Sequence, residues 1–411
     1  MALTVSVDEV VRTNTNPLLK GRPHWSRARL GEVGSVLNGF AFKSSLFTRE
    51  SGTPLIRIRD VGRDASETYY TGEFDSRYIV EPGDLLIGMD GDFNCARWSG
   101  PKSLLNQRVC KVMVHPSVCH PRWLDYVLPG YLRAINEATS SITVKHLSSR
   151  TVEDIPLPLP PMSEQIAIVA EFEKQFSRLD EAVANLQRVK ANLRRYRASV
   201  LKAALAGCLV RSEGAWTKAK LGEVAISIRN GFSRKPDAER GTRIFRISAV
   251  RPMKLDTEDV RYLSGELAAY EPYICLPGDV LFTRYNGSRD YVGVCAQVPD
   301  CVPPTVYPDK LIRVRVSKAL LPSYLVAAAS TGVAREFIES RIRTTAGQSG
   351  ISGSDVKAIP IALPSINEQA RIVGEIDRRL SVVAGLESEV DANLKRAQAL
   401  RQATLAKAFA P

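Results

Sequence analysis

The sequence predicts an α+β fold. Two β-rich units are each followed by a long helix, and the two helices pair antiparallel as a coiled coil with pseudo-two-fold symmetry. Three observations carry that expectation. The first is an internal repeat: Trp25-Ser26-Arg27-Ala28-Arg29-Leu30-Gly31-Glu32-Val33 returns as Trp216-Thr217-Lys218-Ala219-Lys220-Leu221-Gly222-Glu223-Val224. Asn38-Gly39-Phe40 then returns as Asn230-Gly231-Phe232, and Pro82-Gly83-Asp84 as Pro277-Gly278-Asp279. Leu159-Pro160 … Glu164-Gln165 … Ile168-Val169 returns as Leu363-Pro364 … Glu368-Gln369 … Ile372-Val373. The second is a drift in offset from 191 to 204 across these echoes, which leaves thirteen extra residues in the second globular unit. The third is a 4–3 apolar spacing after each Glu-Gln pair, the pattern of a coiled-coil seam.

The expected segments follow from the echoes. They are an N-terminal segment at 1–24, β-rich units at 25–160 and 211–362, and helices at 161–210 and 363–411. Two-residue alternation marks strands at Leu55-Ile56-Arg57-Ile58, Phe245-Arg246-Ile247, Gln107–Val112 and Leu311–Val316. Each Pro-Gly-Asp turn precedes a short apolar strand, Leu85-Leu86-Ile87 or Val280-Leu281-Phe282. Short helices are expected near Pro121–Glu137 and Pro322–Ser340. Ile155-Pro156-Leu157-Pro158-Leu159-Pro160-Pro161 is too proline-rich for a helix and reads as a stiff extended connector.

Ser163 and Asn367 are expected N-caps, with Glu164 and Glu368 at the positive helix ends. The seam comprises Phe172, Phe176, Leu179, Val183, Leu186, Leu193 and Val200 in the first helix, interrupted by Lys190 and Arg197. In the second it comprises Ile376, Leu380, Val383, Val390, Leu394 and Ala397, interrupted by Glu387 and Arg401. Some 44 helical residues span roughly 65 Å, too long for a routine core helix. Matching length and register favour intramolecular pairing; packing on each helix's own unit, or on a partner, is the alternative.

Composition bounds the function. The 411 residues carry a formal charge of +12 and a pI near 9.4, favouring a polyanionic partner. No run of eighteen apolar residues suggests a membrane span, and the first twenty residues lack the apolar core of a secretory signal. Seven irregularly spaced cysteines point to a reduced, cytoplasmic protein.

The repeated Trp … Leu-Gly-Glu-Val openings, the Pro-Gly-Asp-(Leu/Val)-Leu turns and the Leu-Pro-x-x-x-Glu-Gln-x-x-Ile-Val helix entries resemble the specificity subunits of type I restriction–modification systems over essentially the whole chain. In that family the Pro-Gly-Asp turn usually continues into an arginine and a glycine-bearing loop. The second copy keeps Arg284 and Gly287, while the first has Gly88-Met89-Asp90-Gly91, as expected of units that read different bases. The resemblance implies a non-catalytic subunit without a cofactor of its own. Its partners would be double-stranded DNA, two methyltransferase subunits and restriction/translocase subunits. S-adenosylmethionine, ATP and Mg would sit on those partners. Each β-rich target-recognition domain would read half of a bipartite site, and the helices would set the gap.

Reading DNA requires side chains at base edges and others on phosphates. In the first unit the candidates are Lys43, Ser44, Arg57, Arg59, Asn94, Arg97, Trp98 and Lys102, with Asp92 in the same loop. In the second they are Arg229, Asn230, Arg234, Lys235, Arg246, Arg284, Tyr285, Asn286 and Arg289. Arg284-Tyr285-Asn286-Gly287-Ser288-Arg289 combines donors, an aromatic ring and a tight turn after a strand, although an ordinary hairpin end has the same composition. Arg57 and Arg246, read as strand residues, could equally be solvated or salt-bridged. Residues 22–160 hold 17 basic and 15 acidic groups, and 217–360 hold 21 and 15, so cationic excess leans toward the second unit. The basic run from Arg188 to Lys202 fits a phosphate track, a solvated face or a subunit interface.

No phosphate loop, amino-methylating Asn-Pro-Pro-Tyr-like motif or nuclease carboxylate–lysine set is present. Pro308-Asp309-Lys310 reads as a turn, and His115, Cys119 and His120 match structural zinc poorly. A methylation-only adapter and a protein-binding scaffold are the rival readings.

Overall fold

The computed structural model describes residues 5–139, 145–211, 214–345 and 347–410, so residues 1–4 of the expected N-terminal segment lie outside it. The chain forms two compact units. The first is Met1–Asn185 with Asn393–Pro411, and the second is Leu186–Ala392. Each holds one globular part together with portions of both long helices, Met162–Leu205 and Ile366–Phe409.

Each globular part is closed by pairing its own two ends. Strand Ser26–Arg29 lies antiparallel to Pro156–Leu159, and Thr217–Lys220 to Pro360–Leu363. The proline-rich stretch is therefore a hydrogen-bonded strand as well as an extended connector. It tolerates proline because each pair is only two strands wide and the missing N–H groups fall at an edge. Leu-Gly-Glu-Val forms a single helical turn in both copies. Glu32 and Glu223 accept the backbone N–H of Arg29 and Lys220 at 2.8 and 2.9 Å.

The main sheet is four-stranded and antiparallel. Its order is Gly34–Asn38, Val109–Val114, Leu85–Gly88, Cys95–Arg97 in the first unit. In the second it is Ala225–Asn230, Leu311–Val316, Val280–Thr283, Cys295–Gln297. The repeated Asn-Gly is required at a close approach. A Cβ on Gly39 or Gly231 would stand 2.0 Å from the carbonyl oxygen of Asn106 or Pro308. The Pro-Gly-Asp aspartates close their own turns by accepting the N–H of Glu81 or Leu276, each at 2.8 Å.

A second sheet packs beyond the first. It has five strands in unit 1, centred on Thr53–Ile56, and three in unit 2, centred on Thr242–Phe245. Both central strands end one residue before the arginine. Arg57 and Arg246 are thus not strand residues; each precedes a 3-10 turn, Ile58–Asp60 or Ile247–Ala249, that turns the chain out of the sheet. The helix expected near 121–137 is continuous over Trp123–Ala138, whereas its counterpart breaks into Pro322–Ala329 and Gly332–Arg341.

The expected N-caps are displaced. Ser163 and Asn367 lie inside the first turn, because the helices begin at Met162 and Ile366. Pro161 supplies the first accepting carbonyl in one helix, and in the other the Ser365 hydroxyl accepts the N–H of Glu368 at 3.2 Å. The next residue is a buried bracket. Gln165 accepts from the N–H of His120 (2.8 Å) and donates to the carbonyls of Pro160 (2.9 Å) and Val118 (3.3 Å). Gln369 does the same to Leu321 N–H (2.8 Å), Ala319 O (2.9 Å) and Pro364 O (3.0 Å). Both are 0% exposed.

All thirteen seam residues are buried or half-buried. Two of the four polar interruptions, Arg401 and Lys190, are answered across the pair. Arg401 bonds Asp180 at 2.6 Å and covers the Phe176 ring at 4.5 Å, and Lys190 bonds Asp391 at 2.5 Å. Advancing ten residues on one helix retreats ten on the other, so the helices run antiparallel. In unit 1 the last turn is a plug. Phe409 packs 5.4 Å from Trp25 and 5.2 Å from Trp123, and Arg22 donates to the Ala408 carbonyl at 3.0 Å.

Candidate nucleic-acid interface

In the second unit, strand Val280–Thr283 delivers the Arg284–Arg289 loop to the edge of an open cleft of about 570 Å³. Tyr285 pairs with Gly350 across a short ladder, and its ring takes the Arg284 guanidinium at 4.6 Å and the Lys310 ammonium at 5.4 Å. The Asn286 carboxamide accepts the N–H of Ser288 at 3.0 Å, fixing the tip, and Arg289 donates to the Glu339 carbonyl at 3.2 Å. Of the nine residues anticipated in this unit, Arg246, Tyr285 and Asn286 line the cleft. Arg284 stands behind Tyr285.

Four others gather elsewhere. Arg229 lies over Tyr273 at 4.6 Å, and Arg234 bonds Tyr270, Asp237 (2.8 Å) and Ser264 (2.7 Å). The Ser264 N–H and the Arg234 guanidinium together hold the Asp237 carboxyl well below the usual carboxylate range, so Arg234 is engaged within the protein. Asn230 and Lys235 are exposed near this second cluster. Sequence reasoning missed four cleft residues: Arg251, Arg261, Lys310 and Gln348. Arg261 is an exposed residue of a strand laid beside Thr242–Phe245, a placement that only the folded chain supplies.

The first unit is arranged differently. Lys43, Ser44, Arg57, Arg59, Asn94 and Lys102 are exposed. Lys102 is paired with Glu81 at 2.7 Å, and Arg59 reaches Asp60 at 3.8 Å and Thr68 at 3.3 Å. Trp98 does not reach the surface. Its ring is 2% exposed between the sheets and its indole N–H donates to Pro101 O at 2.7 Å, so it is a core residue. Arg97 is likewise occupied, by Asp125 at 2.8 Å and the Pro121 carbonyl at 2.6 Å. Where unit 2 presents Tyr285, unit 1 presents Asp90, bonded to His146 at 2.6 Å and near Arg108 at 3.5 Å; this trio was also missed.

The buried cysteines are poor sources of thiolate. Burial pushes the Cys110, Cys119 and Cys295 thiols up to about 12. No His/Cys/Asp/Glu cluster that could hold a metal occurs among the described residues, and none of their helices is long and apolar enough to cross a membrane.

Comparison with known proteins gives a consistent picture. The family model for the type I restriction modification DNA specificity domain matches residues 23–191. The EcoBI type I restriction enzyme specificity subunit of Escherichia coli is 33% identical, with 100% of this chain and 90% of that protein covered. The EcoKI specificity subunit of E. coli K12 is 28% identical over 94% of this chain and 88% of its own length. A chain from a solved structure titled for complex assembly and conformational transition of the type I R-M system shares the fold. Its TM-score is 0.68 at 19% identity, covering 95% of this chain and 99% of the other.

Proposed function

The chain belongs to the type I restriction–modification specificity subunits, and on that premise we propose that its two β-rich units, 25–160 and 211–362, each read one half of a bipartite double-stranded DNA site. It is the DNA-specificity component of such a system and not a catalytic one, like the relatives it matches. The observation that carries the bipartite reading is the contrast between frame and loops. The end-to-end strand pairs, the Gln165 and Gln369 brackets and the Asn-Gly approaches recur, while the exposed loops hold Asp90 in one unit and Tyr285 in the other. Two equivalent mounts with unlike surfaces suit two different half-sites.

In this reading the paired helices dock two methyltransferase subunits and fix the gap between half-sites. Restriction/translocase subunits join that core. S-adenosylmethionine, ATP and Mg act on those partners. The exposed candidates of both units contact the duplex, with Tyr285, Asn286 and Arg246 nearest its base edges or backbone.

Co-expression with the cognate methyltransferase subunit, followed by mapping of methylated adenines, tests this. The expected result is a two-part motif with a fixed gap. Exchange of residues 25–160 for another such domain should rewrite one half only. A contiguous palindrome, or no methylation, would overturn the reading.

A further inference from the structure

The second unit's cleft gathers cations that the matching positions of the first unit do not. Arg246, Arg251, Arg261 and Lys310 line it beside Tyr285 and Tyr291, and among the described residues no carboxylate does. Arg246 shares Asp259 at 3.1 Å, and Lys310 shares Asp309 at 3.3 Å. Among the described residues, Arg251 and Arg261 are exposed with no carboxylate within ion-pair distance. Arg251 is nevertheless placed, its guanidinium 5.0 Å from the centre of the Tyr291 ring. Holding such cations together costs free energy unless an anion answers them.

Strand register identifies the counterparts in unit 1. Leu55 pairs with Leu104 as Ile244 pairs with Val306. Leu55 also bonds Thr68, and Ile244 is opposite Arg261, so Thr68 stands where unit 2 has Arg261. Arg57 and Arg246 both precede the 3-10 turn, and five residues further on Gly62 stands where unit 2 has Arg251. Val109 pairs with Gly88 as Leu311 pairs with Thr283, so Arg108 matches Lys310, but Arg108 is drawn to Asp90 and His146.

We propose that the cleft of the second unit is a phosphate-binding channel that supplies most of the chain's electrostatic hold on DNA, with Arg251 and Arg261 as its backbone-contacting residues. This rests on the DNA-reading function above and adds a division of labour to it. The second unit anchors the duplex, and the first reads with little electrostatic grip. Phosphate contacts carry no base identity, so these arginines set affinity and salt dependence without setting the motif.

The experiment uses the purified complex of the full chain with its methyltransferase subunit. Affinity is measured from about 50 to 200 mM salt for a duplex carrying the mapped motif and for a random duplex. Replacing both arginines, R251A/R261A, should reduce the slope of log affinity against log salt by about 2, near one unit per lost phosphate contact. Both duplexes should weaken together and the motif should persist. R251K/R261K should retain the slope, which separates charge from shape, and unchanged melting should show intact folding. The unit 1 pair K43A/R59A should lower the slope by less than half as much. An unchanged slope in R251A/R261A, an altered motif, or an equal effect of the unit 1 pair overturns the channel. Wild-type complex that binds DNA without salt dependence or motif overturns the DNA-reading function itself.

Discussion

The two units solve the same backbone problem with the same residues and diverge wherever charge meets charge. Gln165 and Gln369 each satisfy three buried backbone groups in the same way. The Pro-Gly-Asp aspartates do not share a fate. Asp84 keeps a quarter of its side chain exposed and meets Lys111 at 3.1 Å. Asp279 is 1% exposed and accepts from Nε and Nη2 of Arg315, at 2.8 and 2.9 Å. The opening tryptophans also part ways. Trp216 donates to Glu368 at 3.0 Å, whereas the buried Trp25 N–H has no partner among the described residues and Glu164 turns to Arg22 at 3.1 Å. Hydrogen bonds that seal backbone tolerate no drift, because each orphaned buried group costs about 1–3 kcal/mol. Side-chain ion pairs can be rebuilt, so they record divergence.

The comparison breaks most visibly at the helix ends. Phe409 is 0% exposed between two tryptophans, while Leu205, at the same place in the other helix, is half-buried. Phe409→Ala should cost about 3–5 kcal/mol and lower the unfolding midpoint of the first unit. Leu205→Ala should cost roughly half as much, in the second. Equal losses in denaturant titrations would mean that the plug is not special.

The aspartates offer a middle-sized test. Arg315→Met leaves a buried carboxylate with the Leu276 N–H at 2.8 Å and Arg313, at 3.8 Å, as its remaining cation, and should cost about 3 kcal/mol. Lys111→Met leaves Asp84 in contact with water and should cost about 1 kcal/mol. If the two variants melt alike, the burial difference has no energetic meaning.

The smallest effect is pH-dependent and confined to unit 2. Hydrogen bonds from Arg378 and Arg379 hold the Glu375 carboxyl down to about 2. Because its folded value is depressed, its stabilisation is complete above the usual value of 4.5 and is lost as pH falls toward 2. E375Q should therefore lower the midpoint at pH 7 slightly and leave it unchanged at pH 2. A deficit that persists at pH 2 would locate the effect in packing instead.

Much of the frame was legible because it is repeated. Trp-x-x-Ala-x-Leu-Gly-Glu-Val, Asn-Gly-Phe and the 4–3 seam are local patterns, and each corresponds to a definite element. The bracket was not legible as such. A glutamine in the first turn of a helix reads as solvated, and only the folded chain brings Val118 and His120, or Ala319 and Leu321, against it. Trp98 misled for the opposite reason: polar neighbours in sequence hide the sheet that covers it. The cleft cations escaped because their convergence is nonlocal. Arg251 comes from a hairpin with Lys254, Arg261 from a strand laid against Thr242–Phe245, and Lys310 from the approach to Leu311.

The plug also bears on the order in which the protein is made. Trp25 and Trp123 leave the ribosome early, yet the ring that covers them belongs to residue 409. Some 220 residues separate the end of the first unit's leading segment, at Asn185, from that ring. At ~5–20 residues per second the tryptophans wait on the order of ten to forty seconds with one face open. The second unit, by contrast, is contiguous in sequence and can finish first, so the half of the molecule translated earlier is the half completed last.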